Sequence, residues 1–248
     1  MIFALTWFIF PGFGLADLMV TISPTPGWVM YSVLEAGWGL LATMFISAAF
    51  MAAAIRPQWT YEIAVQVVAV AAALAAAAVA ASEPRLWWFV AGLIAQLGLL
   101  VWLARISGRP WSDATAEATL WSGDAWSRWP MLVMVALGAG PWLVYAVDMF
   151  AANRAGLGPV DLTVGVNHWA VQGALALSLI LLSVTSIKRP PLRRFSAVRV
   201  GLAAAYLGLC SLRQPDAGAA LPAMWSVAAI VWGAAVVMAA WLASRPAR

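Results

Sequence analysis

Charged residues are scarce in this chain of 248 residues: they make up 10% of it, whereas hydrophobic residues make up 64%. Soluble domains carry about 25% charged and roughly 45–50% apolar residues. The mean hydropathy of +0.89 is therefore too high for a soluble core of this length. The composition excludes a soluble globular protein and predicts an integral membrane protein, built as an all-α bundle of transmembrane helices.

Cysteine, histidine and lysine each occur only once. The single Cys210 excludes an intrachain disulfide and any multi-cysteine metal or iron–sulfur site. The single His168 excludes a bis-histidine haem, and a retinal Schiff base is disfavoured because Lys188 lies in a basic loop. The chain also has no Walker A, GxSxG or dinucleotide-binding motif. We therefore expect neither a cofactor nor a metal.

Apolar runs of about 20 residues, the length that crosses a bilayer, fill most of the chain. Eight of them can be distinguished, at residues 2–20, 28–54, 62–82, 86–106, 130–152, 166–187, 196–213 and 219–243. The longest polar stretch, 107–129, has tryptophans among alternating charges and predicts an amphipathic linker on the membrane surface. It divides a single membrane domain into two four-helix halves, 1–106 and 130–248. Without the weak first run, the chain would have seven spans.

Basic residues indicate the orientation, because short cytoplasmic loops hold the excess of Lys and Arg. If the N-terminus is cytoplasmic, eleven of the 14 basic residues lie on the inner side and three, Arg85, Arg154 and Arg213, on the outer side. Eight spans with both termini in the cytoplasm are thus predicted. All but one of the basic residues are arginine and alanine is abundant, which is typical of a GC-rich bacterial gene and indicates a bacterial cell membrane.

The two halves resemble each other weakly. "FPGFGLAD" ends at Asp17 and "GPWLVYAVD" ends at Asp148, each with a proline six or seven residues before the aspartate. "YSVLEA" can be aligned with "HWAVQG", which matches Glu35 with Gln172. The pattern indicates a parallel four-plus-four tandem repeat. The alternative is chance similarity between segments rich in Ala, Leu and Val.

Acidic and polar residues collect in the outer half of the predicted bundle. Glu35, inside "YSVLEAGWG", lies about seven residues into the second run, or roughly 10 Å deep. The same half contains Asp17, Asp148, Asp161, His168 and Gln172. An ionisable group at depth costs on the order of 3 kcal/mol or more, so such residues are candidates for a functional site. The alternatives are solvated or helix-capping aspartates, a structural histidine, and a Glu35 that only neutralises a buried partner.

Aromatic residues accompany these polar groups. Trp38 lies three residues after Glu35, Trp142 and Tyr145 precede Asp148 at intervals of three, and Trp169 follows His168. An indole face stabilises a cation by roughly 0.5–2 kcal/mol, and a neutral carboxylic acid in a dry site can protonate an alkene or epoxide. This combination indicates acid-initiated cyclisation or isomerisation of a lipophilic prenyl or terpenoid substrate.

In its size, its multi-helix build and its acid in the second helix, the chain resembles the small integral-membrane terpene cyclases of meroterpenoid pathways. That resemblance implies paired acidic residues acting without a metal, at Glu35 in "LEAGWG" and Asp148 in "VYAVDMF". We then expect Glu35 as general acid, Asp148 as second acid or base, and Tyr145 and His168 as orienting or proton-relay groups. The predicted substrate-binding residues are Trp38, Trp142, Trp169, Gln172, Asp161 and Asp17.

Two other functions stay open at this point: a proton-coupled small-molecule transporter protonated at Glu35, and a non-catalytic membrane subunit. The expected partners are a lipophilic small molecule and membrane lipid. No aromatic-interleaved basic face occurs, so nucleic acid is not an expected partner. The sequence does not indicate any protein partner.

Overall fold

The structure, a computed structural model, describes residues 1–9, 14–107, 125–160, 162–188 and 190–243. Ten α-helices occur in these ranges: α1 (Ile2–Ile9), α2 (Gly14–Ile22), α3 (Ser32–Leu40), α4 (Ala48–Ile55), α5 (Thr60–Ala80), α6 (Leu86–Ile106), α7 (Ala125–Ala155), α8 (His168–Lys188), α9 (Pro190–Arg213) and α10 (Ala223–Leu242). They form eight segments long and apolar enough to cross a membrane. The predicted polytopic helical bundle with eight spans is confirmed.

The first and second spans are composite. α1 and α2 together form the first span, and α3, a π-helical segment and α4 form the second. Residues 10–13, which include the proline of "FPGFGLAD", lie outside the described part, as do residues 108–124 of the predicted linker. Residues 125–129 of that linker lie in α7. The tandem repeat stays a prediction.

A buried arginine supports the π-helical segment, Leu41–Ser47. A π-turn widens the helix and displaces its usual hydrogen bonds. Arg199 of α9, only 4% exposed, donates Nη1 to the carbonyl oxygens of Met44 and Phe45, at 3.2 Å each. Its Nη2 donates to Oε1 of Gln66 in α5. One guanidinium therefore connects the second, third and seventh spans.

The loops that the structure describes alternate between the two ends of the bundle. At one end, which we call the basic end, α8 stops at Lys188 and α9 begins. Arg193 is buried there and donates to the carbonyls of Ser186 (3.3 Å) and Ile187 (3.2 Å) in α8 and of Ala243 (2.5 Å) after α10. Cations are favourable at helix C-termini, where carbonyls lack amide partners. Arg193 thus joins the ends of the sixth and eighth spans.

The opposite end, the hairpin end, carries a two-stranded antiparallel hairpin, β1 (Leu162–Thr163) and β2 (Val166–Asn167), immediately before α8. The loop between α5 and α6 holds it from the side. Arg85 Nη1 donates to the Gly165 carbonyl at 2.6 Å, and the Asn167 N–H donates to Glu83 Oε2 at 3.4 Å. These contacts connect the two halves of the chain at the hairpin end.

Small residues bring α9 and α10 into close contact. A Cβ built on Gly201 would lie 2.5 Å from the carbonyl oxygen of Gly233, and one on Gly208 would lie 2.5 Å from that of Ser226. Membrane helices use such residues because close backbone approach gives the packing that the hydrophobic effect cannot supply in lipid. The seventh and eighth spans therefore form the tightest pair at these points.

Candidate functional site

A carboxylate, an imidazole and a hydroxyl lie in line at the hairpin end. Glu35 is on α3, 4% exposed, and its Oε2 lies 3.7 Å from Nδ1 of His168, the fully buried first residue of α8. On the other side of the imidazole ring, Nε2 is 2.7 Å from the hydroxyl of Thr163 on β1. The structure thus brings together two residues that the sequence predicted, Glu35 and His168. It adds Thr163, which the sequence analysis missed.

The hairpin that carries Thr163 turns through Val164 and Gly165, with φ values of +53° and +79°. A two-residue hairpin turn of this kind needs positive φ at both central positions, and Asn-Gly is the preferred pair. Glycine adopts this conformation freely, whereas a β-branched valine there is a conformational outlier. Such strain persists only where the surrounding structure imposes it, and it concentrates at functional sites. The conformation of Val164 therefore makes this turn a candidate part of a functional site.

A Val164→Asn variant tests that strain. Left-handed backbone costs an ordinary L-residue roughly 1–2 kcal/mol, and asparagine tolerates it better. We expect the variant to melt at a higher temperature than the wild-type protein in the same detergent. Val160→Asn, the same change in an exposed residue of the preceding loop, serves as control. A melting temperature at or below that of the wild type would show that the turn is not strained.

A second polar line starts one helical turn further along α8. Gln172 is fully buried and donates Nε2 to the Tyr145 hydroxyl at 2.9 Å, and that hydroxyl donates to the Ala219 carbonyl at 2.7 Å. A Cβ on Gly37 would lie 2.7 Å from Gln172 Oε1, so α3 approaches α8 closely here. His168 and Gln172 share one face of α8. This face therefore carries both polar lines.

A cavity of about 610 Å³ lies between α7 and α10. Its walls include three indoles, a phenol and a carboxylate, from Trp142, Trp225, Trp232, Tyr145 and Asp148. Other wall residues face outward from the bundle, with Leu137 61% and Val144 61% exposed. In a membrane-spanning bundle such a surface faces lipid, so the cavity is open from the side. From Leu137 to Asp148 it extends roughly 16 Å along α7.

Glycine and proline shape the deep part of this cavity. Trp232 lies directly over Gly138, where an added Cβ would be 2.5 Å from its indole Nε1, and this Nε1 donates to the Met134 carbonyl at 2.8 Å. Pro141, within α7, has no N–H, so the Leu137 carbonyl lacks its α-helical donor. Pro141 therefore leaves a helix carbonyl without its usual donor at the end of the cavity opposite Asp148.

The other predicted site residues lie elsewhere. Trp38 is in the core with its ring 4.7 Å from that of Phe89, and Trp169 is buried with Nε1 donating to the Pro159 carbonyl at 3.0 Å. Asp17 is buried in α2. None of the three lines the cavity, and neither does Glu35. Asp161 lies outside the described residues.

Trp225 and Trp232 line the cavity instead. Their positions on a helix gave no sequence signal that distinguished them from packing residues.

A further groove, of about 530 Å³, runs between the first and fourth spans. The exposed residues Arg85 and Trp88 lie along it near the hairpin end, and Val164 contributes to the same part of its wall. Deeper in the groove, Trp7 Nε1 donates to Gln96 Oε1 at 2.7 Å. The groove therefore combines an exposed guanidinium near the hairpin end with a largely apolar wall.

In the part of the chain that the structure describes, no three His, Cys, Asp or Glu side chains are grouped so that they could hold a metal ion. Comparison of the chain with protein-family models, curated proteins and solved structures gives no match.

Proposed function

We propose that this multi-pass membrane protein is an enzyme that cyclises or isomerises a lipophilic prenyl or terpenoid substrate in the cavity between α7 and α10. The single observation that supports the proposal is the cavity itself: three indoles and one carboxyl group in a space reached from the lipid. A prenyl chain dissolved in the bilayer can enter sideways without crossing water.

The walls suit a positive charge. Trp142 and Trp232 meet edge to face with ring centroids 5.8 Å apart, and Tyr145 lies 6.1 Å from Trp142 in the same manner. Indole faces attract cations, more strongly when water is excluded. The Leu137 carbonyl, which has no i+4 N–H donor because of Pro141, lies near the deep end. Together these groups stabilise a carbocation more than the neutral alkene, which is the condition for catalysis.

Asp148 is the acid and base in this proposal. We move the predicted role of general acid from Glu35 to Asp148 because Asp148 lines the cavity and Glu35 does not. The protonated carboxyl gives its proton to the terminal alkene, the resulting cation is attacked by an internal double bond, and the ring cation returns a proton to the carboxylate. The product is an isomer of the substrate, so no further reactant is needed.

The orientation of the site follows the basic residues. In the proposed topology both termini are cytoplasmic, in a bacterial cell membrane, and the hairpin end faces outward. Asp148 lies seven residues before the end of α7, roughly 10 Å from that surface. A substrate with a polar aromatic head and a prenyl tail would then keep its head near the outer surface.

An Asp148→Asn variant tests the proposal. Purified protein in detergent would be supplied with aromatic compounds carrying geranyl, farnesyl or geranylgeranyl chains, and products of unchanged mass would be separated by gas chromatography. General acid catalysis contributes typically 10²–10⁴-fold, so we expect the variant to lose at least about 10²-fold in rate. In D₂O the wild-type product should carry one carbon-bound deuterium.

The matched control is Asp216→Asn, the same change in an exposed loop residue outside the cavity, which should keep full activity. Equal turnover by Asp148→Asn and wild type would remove Asp148 as the acid. If the wild-type protein binds these compounds but returns them unchanged, and accumulates them in proteoliposomes when a pH gradient is applied, the protein is a proton-coupled carrier and the proposed enzymatic function is wrong.

A further inference from the structure

The line of groups Glu35, His168 and Thr163 is not used in the proposed cyclisation. Its order is carboxylate, imidazole, hydroxyl, with 3.7 Å between Glu35 Oε2 and His168 Nδ1, and 2.7 Å between His168 Nε2 and Thr163 Oγ1. This is the order in which a base and its orienting acid activate a hydroxyl nucleophile. Thr163 is half-buried, whereas the two groups behind it are buried. Thr163 is therefore the least buried of the three residues.

We propose that Thr163 is the nucleophile of a second, independent site that transfers the acyl group of membrane-surface esters carrying an anionic head to water. His168 is its general base and Glu35 orients the imidazole.

The hairpin holds Thr163 in a fixed position. Arg85 holds the turn through the Gly165 carbonyl, and the Asn167 side chain accepts the Trp169 N–H at 3.3 Å where β2 passes into α8. The residue after Thr163, Val164, has a φ of +53°. Hydroxyl nucleophiles in other enzymes lie on sharp, strained turns, and here the strained residue is the one that follows Thr163. A hydroxyl that only capped a helix would not require this conformation.

The groove between the first and fourth spans gives the substrate class. Val164, the neighbour of Thr163, lies on its wall together with Arg85. The Arg85 guanidinium has five N–H donors, and among the described residues its hydrogen bond to the Gly165 carbonyl uses Nη1. The remaining donors suit the oxygens of a phosphate or carboxylate. An acyl chain would lie along the largely apolar wall of the groove, deeper in the bundle than Arg85. The substrate class is therefore an acyl ester with an anionic head.

The reaction balances without any redox partner. Thr163 Oγ bonds to the ester carbonyl carbon while His168 Nε2 takes the hydroxyl proton, and the alcohol leaves with that proton. Water then attacks the acyl-threonine and gives a proton to Nε2, and Thr163 Oγ regains a proton as the carboxylic acid is released. Throughout, the Nδ1–H of His168 faces Glu35, whose carboxylate stabilises the transient imidazolium.

The experiment uses two chromogenic esters and the full-length protein in mixed micelles. 5-Decanoyloxy-2-nitrobenzoate has an anionic head, and p-nitrophenyl decanoate is its neutral counterpart. We expect the wild-type protein to hydrolyse both and to prefer the anionic ester. Thr163→Ala should lose at least about 10²-fold in rate, whereas Thr163→Ser should retain activity. Arg85→Gln should bring the ratio of the rates on the anionic and the neutral ester close to one; because Arg85 also holds the turn, both rates should fall, and the ratio is the quantity to compare.

A readout beyond rate separates a nucleophile from a structural threonine. After an acid quench, the wild-type peptide that contains Thr163 should carry a decanoyl group. Thr185→Ala, the same change near the other end of α8, is the matched control and should behave as wild type. The proposal is overturned if wild type hydrolyses neither ester, if Thr163→Ala hydrolyses them at the wild-type rate, or if no acyl group is found on Thr163. Asp148 takes no part in this ester hydrolysis. Whether the hydrolysis is found or not, the outcome of the cyclisation assay with Asp148→Asn is therefore independent of it.

Discussion

An Arg199→Ala variant is expected to lose about 1.5–3 kcal/mol of its unfolding free energy, the usual contribution of hydrogen bonds to a charged group whose neutral partners are then left buried without a donor. Arg199 supplies the donors for the carbonyls of Met44 and Phe45 and for the Gln66 side chain. Without the guanidinium, these three acceptors face a hole at membrane depth, where water cannot replace the lost donors. Unfolding of the purified protein by SDS in mixed micelles, followed by tryptophan fluorescence, measures the loss.

Further variants identify the cause of that loss. Arg199→Lys keeps the charge, but an ammonium group lacks the planar, forked donors that contact carbonyls on one span and an amide on another. The stability of this variant should therefore lie between those of the wild type and Arg199→Ala. Arg199→Met with Gln66→Leu also removes the Gln66 acceptor, so two acceptors rather than three are left without their donor. We therefore expect the double variant to be more stable than Arg199→Met alone. If Arg199→Ala unfolds at the wild-type SDS fraction, the guanidinium does not stabilise the π-helical segment.

A Gly201→Val variant should also be severely destabilised, by about 3 kcal/mol, the upper part of the range for overpacking a close contact. Its Cβ would lie 2.5 Å from the Gly233 carbonyl oxygen. The obstacle is backbone of the neighbouring helix, which no rotamer change can remove. α9 and α10 would have to separate, and with them the hydrogen bond from Arg193 to Ala243 at the basic end. The melting temperature in detergent measures the effect.

Gly98→Ala on α6 is the matched control for this prediction. A Cβ there meets nothing within 4 Å, so the change only improves helix propensity, by roughly 0.5–1 kcal/mol. It should leave the melting temperature unchanged or raise it slightly. If the melting temperature of Gly201→Val equals that of Gly98→Ala, the close contact between α9 and α10 does not hold the seventh and eighth spans together.

The spans were predictable because their signal is local. A run of about 20 apolar residues is sufficient to identify a membrane helix, whatever it packs against. Even the weak first and seventh runs correspond to Ile2–Ile22 and Leu192–Arg213. The π-helical segment and the hairpin had no such signal. Leu41–Ser47 looks like any apolar helix, and its geometry depends on a guanidinium more than 150 positions away in the chain. The turn at Val164–Gly165 lacks the asparagine that marks such hairpins.

The candidate site was predictable only in part. Intramembrane charge identified Glu35 and His168 as residues that need a partner, and the structure places them 3.7 Å apart. Depth alone could not decide which acid lines a cavity, because that depends on how α7 and α10 are rotated. For the same reason Trp142 lines the cavity whereas Trp38 and Trp169 lie in the core. Thr163 was missed because a single threonine in a loop carries no signal until its neighbours are known.

The sideways opening between α7 and α10 determines how affinity has to be measured. A ligand that enters from the hydrocarbon is selected from the bilayer, so occupancy depends on its mole fraction in lipid rather than on its aqueous concentration. Adding lipid at constant total ligand would dilute the ligand and raise the apparent half-saturation concentration. A longer tail increases the partitioning of the ligand into lipid, and it independently increases the contact of the ligand with the cavity walls. Only titrations expressed per lipid distinguish recognition by the protein from solubility in its surroundings.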